Sequence, residues 1–315
     1  MNCLVTGVAG FIGSHLARAL INRGDHVTGV DMFTDYYEKN LKEANIEDLY
    51  SLSSFTLLKR DVAELTAEEL SEIDLVFHQA AQAGVRKSWG RQFDAYTHHN
   101  ILATQKLLET CRNVNIKKFI YASSSSVYGE IEKLPVTENT CPKPVSPYGV
   151  SKLAGEHLVD LYYYNYKVPT VSLRYFTVYG PGQRPDMAFR IFINSIFEGK
   201  PLQIYGDGNQ TRDVTYIDDV VAANLMAVDS EDVEGRVFNI GGGSQVSINE
   251  VIAMLERITG FGAQVDYYPP QKGDPYQTFA DVSLARQYLG FKPQVQLEEG
   301  LKQQIKSLGH ELNYE

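Results

Sequence analysis

Short apolar runs recur along the chain, separated by segments whose apolar residues return every three or four positions. The runs Cys3–Val5, Val27–Val30, Phe55–Leu58, Leu75–Phe77, Phe119–Ala122 and Val171–Tyr175 predict strands. Each is too short for a helix and too uniformly apolar for a strand with one wet face. After the first run, Phe11, Ile12, Leu16, Ala19 and Leu20 fall on one side of a helix. A helix over Asp218–Val228 followed by a strand over Val237–Ile240 adds a late unit to the same pattern. Alternating strands and helices predict an α/β fold, a doubly wound parallel sheet with helices on both faces. Residues 1–176, with about 216–240, form that part. Residues of about 177–215 and 241–315 are richer in Gly, Pro and aromatics and predict a smaller second lobe. Ligands of such sheets lie at the carboxyl ends of the strands, where the second lobe can close over them.

The first strand runs directly into Gly7-Val-Ala-Gly10-Phe-Ile-Gly13 and the helix behind it. Gly7 permits the tight turn and Gly10 allows the backbone to approach a pyrophosphate. Gly13 lets helix pack closely on strand, and the helix start offers free amides to an anion. The spacing is G-x-x-G-x-x-G rather than G-x-G-x-x-G, but the context of strand, turn, helix and second strand is that of a dinucleotide site. The second strand, from His26 to Val30, ends in Asp31. A carboxylate about 20 residues past the turn accepts from the adenosine ribose hydroxyls. It would repel a 2′-phosphate, so NAD is expected over NADP. The fold class is therefore a Rossmann-type doubly wound sheet with a smaller C-terminal substrate-binding lobe.

Tyr148 and Lys152 stand four residues apart in Ser146-Pro-Tyr-Gly-Val-Ser-Lys152, downstream of the serine run Ser123 to Ser126. Positions i and i+4 share a helix face, so phenol and ammonium can point into one cavity. A free tyrosine titrates near pH ~10, and a cation close by favours the phenolate. Such a phenolate can take the proton of an alcohol while hydride leaves the same carbon. The alternative is a surface tyrosine and a solvated lysine on an amphipathic helix. The dinucleotide turn weighs against it.

Composition narrows the classes. The content of 43% hydrophobic and 22% charged residues is that of a globular protein. No apolar run approaches the ~18 residues of a membrane span. A net charge of −10 argues against nucleic acid as the main partner, which normally demands a basic face, so an anionic substrate must be met by local arginines. Cys3, Cys111 and Cys141 are widely spaced and odd in number, which suggests neither a disulfide framework nor a zinc site and fits a reducing cytoplasm. His78, His98 and His99 make no metal constellation, because sequence neighbours diverge on a helix.

Together the glycine turn, the serine run and the Tyr148-x-x-x-Lys152 pair resemble the extended short-chain dehydrogenase/reductase family, specifically its nucleotide-sugar epimerases. The resemblance extends to His78-Gln-Ala-Ala-Gln-Ala-Gly-Val-Arg86, Arg174-Tyr-Phe-Thr-Val-Tyr-Gly-Pro181, Arg184-Pro-Asp-Met-Ala-Phe189 and Gln210-Thr-Arg-Asp-Val-Thr-Tyr-Ile-Asp-Asp219. Within the family, Asp35-Tyr-Tyr-Glu-Lys-Asn-Leu-Lys42, Ala122-Ser-Ser-Ser-Ser-Val-Tyr-Gly129 and Arg184-Pro-Asp-Met187 with Thr177-Val-Tyr-Gly-Pro resemble the UDP-glucuronate 4-epimerases. The resemblance implies a tightly bound NAD held by Gly7, Gly10, Phe11, Ile12, Gly13, Asp31, Asp61, Val62, Ala80, Ala81, Gln82, Tyr148, Lys152 and Tyr175, with Asp61 and Val62 beside the adenine. It implies Tyr148 as base and then acid, Lys152 as its tuner and Ser124 as holder of the C4 oxygen. A UDP-sugar would meet Arg86, Ser124, Ser125, Ser126, Thr177, Arg184, Phe189, Gln203, Tyr205, Arg212 and Asp274.

Sibling decarboxylases and dehydratases carry an acid in the serine run, where this chain has only hydroxyls. The chemistry left is oxidation at C4, rotation of the keto sugar and hydride return. Ser125, Ser126 and Thr177, with Arg184, can hold a C6 carboxylate. The same hydroxyls would serve the hydroxymethyl of UDP-glucose equally well, and Arg184 could serve the diphosphate. Arg212 resembles the diphosphate arginine, with an ion pair to Asp213 as the alternative. Asp274 resembles the acceptor for the uridine ribose, and Lys272 stands where the family often has arginine. Phe189, Gln203 and Tyr205 are either uracil-pocket or core residues. Finally, Val150, Leu153, Ala154, Leu158, Leu161 and Tyr162 form a broad apolar face on the helix around Tyr148–Tyr166. With a helix near Asn100–Cys111, this face predicts a homodimer through four helices.

Overall fold

The computed structural model describes residues 1–310. Its strands are β1 (Asn2–Thr6), β2 (His26–Val30), β3 (Phe55–Leu58), β4 (Leu75–His78), β5 (Lys118–Ser124), β6 (Thr170–Tyr175), β7 (Thr177–Tyr179), β8 (Leu202–Tyr205), β9 (Thr211–Tyr216), β10 (Arg236–Ile240), β11 (Gln245–Ser247) and β12 (Val265–Tyr268). The predicted strands are all present, each with the same limits or one to three residues longer. Seven of them form one sheet in the order β10-β6-β5-β4-β1-β2-β3, with every pairing parallel. β4 and β5 are buried along their whole length, as uniformly apolar strands between two helix layers must be. The chain reverses direction of winding between β1 and β4, and a crevice opens there at the carboxyl ends.

The later segments make a three-stranded sheet, β11-β9-β7, and a two-stranded one, β12-β8. None of these short strands was legible as a strand, because each is three to six residues of mixed polarity. β10 returns to the large sheet beside β6, and the helix Ile217–Asp229 before it lies where the pattern predicted. No helix among the described residues is long and apolar enough to cross a membrane.

The helix expected near Asn100–Cys111 is longer and irregular. A short α-turn, Phe93–Tyr96, passes into a π-helical stretch, Thr97–Leu102, before the regular helix Ala103–Cys111. Asn100, buried within the wide turn, bonds the backbone of Gln82 through both its amide groups and donates to the Ser151 hydroxyl. The stretch thus ties the loop after β4 to the helix that carries Tyr148. Beneath that helix, Glu156 and Arg174 form a buried ion pair. Ser123 donates to Glu156 at 2.6 Å, and Arg174 donates to the Tyr128 hydroxyl at 2.7 Å. Satisfied this fully, the network fixes the helix against β5 and β6.

Candidate active site

The cleft at the winding reversal is lined by all fourteen residues expected to hold the cofactor, from Gly7 in the turn to Tyr175 at the end of β6. Its geometry follows from the glycine turn. A side-chain carbon at Gly13 would lie 2.2 Å from the Gly7 carbonyl, so the helix Phe11–Asn22 can meet the strand only without one. Asp31 accepts from the amides of Ala9 and Phe33 at 3.1 and 2.8 Å, which stations its carboxylate over the turn. Burial pushes this carboxyl above its ordinary range, although the two amides and Lys42 oppose that. Thr6, buried at the end of β1, is linked to the Nδ1 of His78 at 2.8 Å, while Nε2 of that ring meets Thr104 at 3.0 Å. Burial, with the Lys152 charge beside it, drives His78 down to about 3, so the imidazole is a neutral structural link.

Tyr148 is the second residue of the helix Pro147–Tyr166. Ser146 caps that helix by accepting from the Gly149 amide at 3.1 Å, and Pro147 supplies the preset φ of the first turn. The cap therefore aims the phenol at the cleft. Ser124, at the end of β5, has its hydroxyl against the phenol and also accepts from the Ser126 amide at 3.1 Å. Burial holds Tyr148 above its ordinary value; the Ser124 hydrogen bond and the Arg184 charge pull it down. Lys152, one turn on, is buried and sits 4.6 Å from the centre of the Tyr121 ring. Burial lowers its ammonium to about 7, with Glu156 acting against that. Arg184 is thus a further cation bearing on the phenol, in a cleft that Lys152 also lines.

A second, wider cavity adjoins the first and runs under the later lobe. Its walls include Ser124, Ser125, Ser126, Thr177, Arg184, Gln203, Tyr205, Arg86 and Asp274; Phe189 and Arg212 line its outer extension. Phe189 is both core and lining, since it is buried edge-on against Tyr179 at 5.5 Å. The ion pair proposed between Arg212 and Asp213 does not form. Neighbours on β9 point to opposite faces, so Asp213 goes inward to accept from the Gly242 and Ala280 amides at 2.8 and 2.9 Å. Arg212 goes to the cavity, where it donates to the carbonyls of Thr211 and Tyr276. Asp274 is already paired with Arg86 at 2.9 Å, and the Arg86 guanidinium covers the Tyr205 ring at 4.5 Å.

Three features went unread in the sequence. Tyr36 and Asp186, each inside a motif singled out above, line the wider cavity without having been given a role. His98 and His99 do not diverge. Across the π turn their rings meet edge-on at 4.8 Å, and His98 bonds Asp61 at 2.6 Å, so one ligand atom from each of the three lies within 4.8 Å of the others. The wide turn alters the usual helical angle between neighbours. Sequence offers no signal for it.

The family model for the NAD dependent epimerase/dehydratase family matches residues 3–241. A UDP-glucuronic acid 4-epimerase from Bacillus cereus, solved in complex with UDP-glucuronic acid and NAD, superposes with a TM-score of 0.96 at 47% identity; the match covers 98% of this chain and 99% of that one. A Bacillus subtilis protein named as the uncharacterized UDP-glucose epimerase YtcB is 44% identical over 98% of each chain. The UDP-glucuronate 4-epimerase of Thermodesulfobacterium geofontis is 39% identical, over 96% of this chain and 94% of its own.

Proposed function

This chain belongs to the NAD dependent epimerase/dehydratase family, and on that premise we propose that it is an NAD-dependent 4-epimerase acting on UDP-glucuronate to give UDP-galacturonate. One observation carries the choice of reaction. Beside the serines the wider cavity contains two carboxylates, Asp186 and Asp274, and each is bound to an arginine. Among the described residues, no unpaired acid lines this cavity beside the serines to protonate a leaving hydroxyl, which a dehydratase needs.

NAD, held by the turn residues Gly7, Gly10 and Gly13 with Asp31, would supply the hydride acceptor for C4 and the hydride that restores the alcohol. Tyr148 takes the proton from the C4 hydroxyl and gives it back. Ser124 shares its hydrogen with the phenol and keeps the C4 oxygen within reach. Lys152, buried below, carries its charge toward the nicotinamide ribose, which re-supplies the polar contacts that burial removed. Asp31 receives the adenosine ribose and disfavours a 2′-phosphate. Phe189, Gln203 and Tyr205 flank the uracil, Arg212 and Arg86 meet the diphosphate, and Asp274 meets the uridine ribose. Residues 1–176 with about 216–240 serve as the NAD-binding domain, a division supported by β10 joining the large sheet. Residues of about 177–215 and 241–315 serve as the UDP-sugar lobe; of these, 311–315 lie outside the described residues.

The uronate reading rests on Arg184 being beside Tyr148, together with the hydroxyls of Ser125, Ser126 and Thr177. Oxidation at C4 makes a β-keto acid, which loses carbon dioxide when its carboxylate stands perpendicular to the carbonyl plane. Several fixed donors prevent that. The neutral-sugar reading, UDP-glucose to UDP-galactose, is favoured by the Bacillus subtilis relative's name. Decarboxylation of UDP-glucuronate ranks behind both. Proton NMR of the protein incubated separately with UDP-glucuronate and UDP-glucose, without added reductant, distinguishes the three. UDP-galacturonate with little UDP-pentose is expected. Turnover of the neutral sugar alone would assign the serines to a hydroxymethyl group.

The enzyme works as a cytoplasmic homodimer. Val150 and Leu161 on the tyrosine helix and Leu102 on the neighbouring one remain exposed at 46%, 50% and 43%. Gel filtration at micromolar concentration giving a monomer would refute the dimer.

A further inference from the structure

The two stretches that resemble uronate-specific enzymes, 35–42 and 184–187, meet in space. Tyr36 donates its hydroxyl to Asp186 at 2.9 Å across 150 residues of sequence. Asp186 in turn accepts from Nε and Nη2 of Arg184 at 3.0 and 3.2 Å, a paired contact that sets the plane of the guanidinium. Nη1 of Arg184 is not used by this pair. It is left to a cavity that holds Ser124, Tyr148 and Thr177.

Tyr36 is itself held from three sides. Its hydroxyl fills the place a side chain would take at Gly84, and the Lys87 ammonium lies 4.7 Å from the centre of its ring. Behind it, Lys42 donates to the carbonyl and hydroxyl of Thr34 at 2.6 and 3.0 Å, closing the loop that presents the phenol. Tyr36 lines both the cofactor cleft and the wider cavity, so it stands at their boundary.

We propose that Asp186, steadied by Tyr36, is a positioning residue that aims Arg184 at the carboxylate of a uronic-acid substrate and thereby keeps that carboxylate from leaving. The inference rests on the uronate reading above. Its physical basis is rigidity. A lone arginine has many rotamers, whereas one clamped through two nitrogens presents the remaining N–H groups in a fixed direction. When the clamp is loose, the carboxylate of the 4-keto sugar can swing out of plane. The C5–C6 bond then breaks, its electron pair moves into the C4 enolate, carbon dioxide leaves, and C5 takes up a proton.

Asp186→Asn and Tyr36→Phe test this, with product analysis for UDP-glucuronate and the inhibition constant of UDP-glucose as the neutral control. Asp186→Asn is expected to cut kcat/KM for UDP-glucuronate about tenfold or more, as loss of a charged hydrogen bond does. It should raise the decarboxylated fraction while leaving the UDP-glucose constant, bound NAD and Tm close to wild type. Tyr36→Phe should move the same quantities in the same direction by about threefold. An unchanged product ratio in both variants, or equal losses toward acid and neutral nucleotide, overturns the proposal. Should Asp186→Asn fail to fold, Tyr36→Phe decides. If wild-type protein ignores UDP-glucuronate and turns over UDP-glucose, the uronate reading falls and the brace with it; failure in the variants alone removes only the brace.

Discussion

The cofactor cleft and the sugar cavity are neighbours built on different principles. The cleft is assembled from contiguous pieces, each ending a strand of one parallel sheet: the turn after β1, Asp31 after β2, Ala80 to Gln82 after β4 and Tyr175 closing β6. The sheet puts all of these ends on one edge, so their relative positions follow from topology alone. The sugar cavity is held by contacts between distant segments, Arg86 with Asp274 and Tyr36 with Asp186, separated by 188 and 150 residues. One region is set by a rigid scaffold and the other by side chains that bridge it. A substitution should therefore act broadly in the first and selectively in the second.

The largest effect is expected beneath the cleft. Arg174→Met leaves Glu156 charged and unpaired in the core, and loss of one partner of a buried pair costs about 3–5 kcal/mol. Denaturant unfolding should record that loss; a change below about 1 kcal/mol would mean the pair does not anchor the helix. Next comes Tyr148→Phe. With the proton acceptor removed, kcat should fall about 10³-fold, within the range for general acid–base groups, while bound NAD is retained. Single-turnover absorbance of the reduced nicotinamide is the readout, and an undiminished rate would remove Tyr148 from the mechanism.

In the sugar cavity the change should be narrower. Arg212→Ala is expected to raise KM by about tenfold to a hundredfold with kcat and NAD content nearly unaltered, because only a charged contact to the diphosphate is lost. A parallel fall in kcat would place Arg212 nearer the reacting carbon than the comparison allows.

The last expected effect, confined to protein stripped of nucleotide, is a pH dependence. Burial lowers Lys152 from 10.5 to about 7. Between those values the unfolded chain binds the proton that the folded chain has lost, so stability rises with pH across that window. Lys152→Met removes the dependence. The variant should melt above wild type at pH 7, by roughly a few degrees, with the gap shrinking toward pH 10.5. A gap independent of pH would show that the lysine stays charged when buried.

How far the site was legible follows the same division. The glycine turn, the strand leading to Asp31 and the Tyr148–Lys152 spacing are local. Helical and strand periodicities dictate where residues within a few positions point, and those dictates hold in any globular context. That suffices for the fold class, the cofactor cleft and the aim of the phenol. Partnerships across the chain were not legible. Asp213 turned inward because the pleat of β9 placed it there. Lys152 settled over Tyr121, and Arg184 came in from the other lobe to act on Tyr148 as well. His98 and His99 converged on a π turn, and Asp186 took Arg184 as its partner. Each of these depends on how two lobes and several loops pack, and a contact over 150 residues has no period in the sequence. The chain alone determined which chemistry it carries; the packing of the lobes decided which charged side chains meet in the sugar cavity.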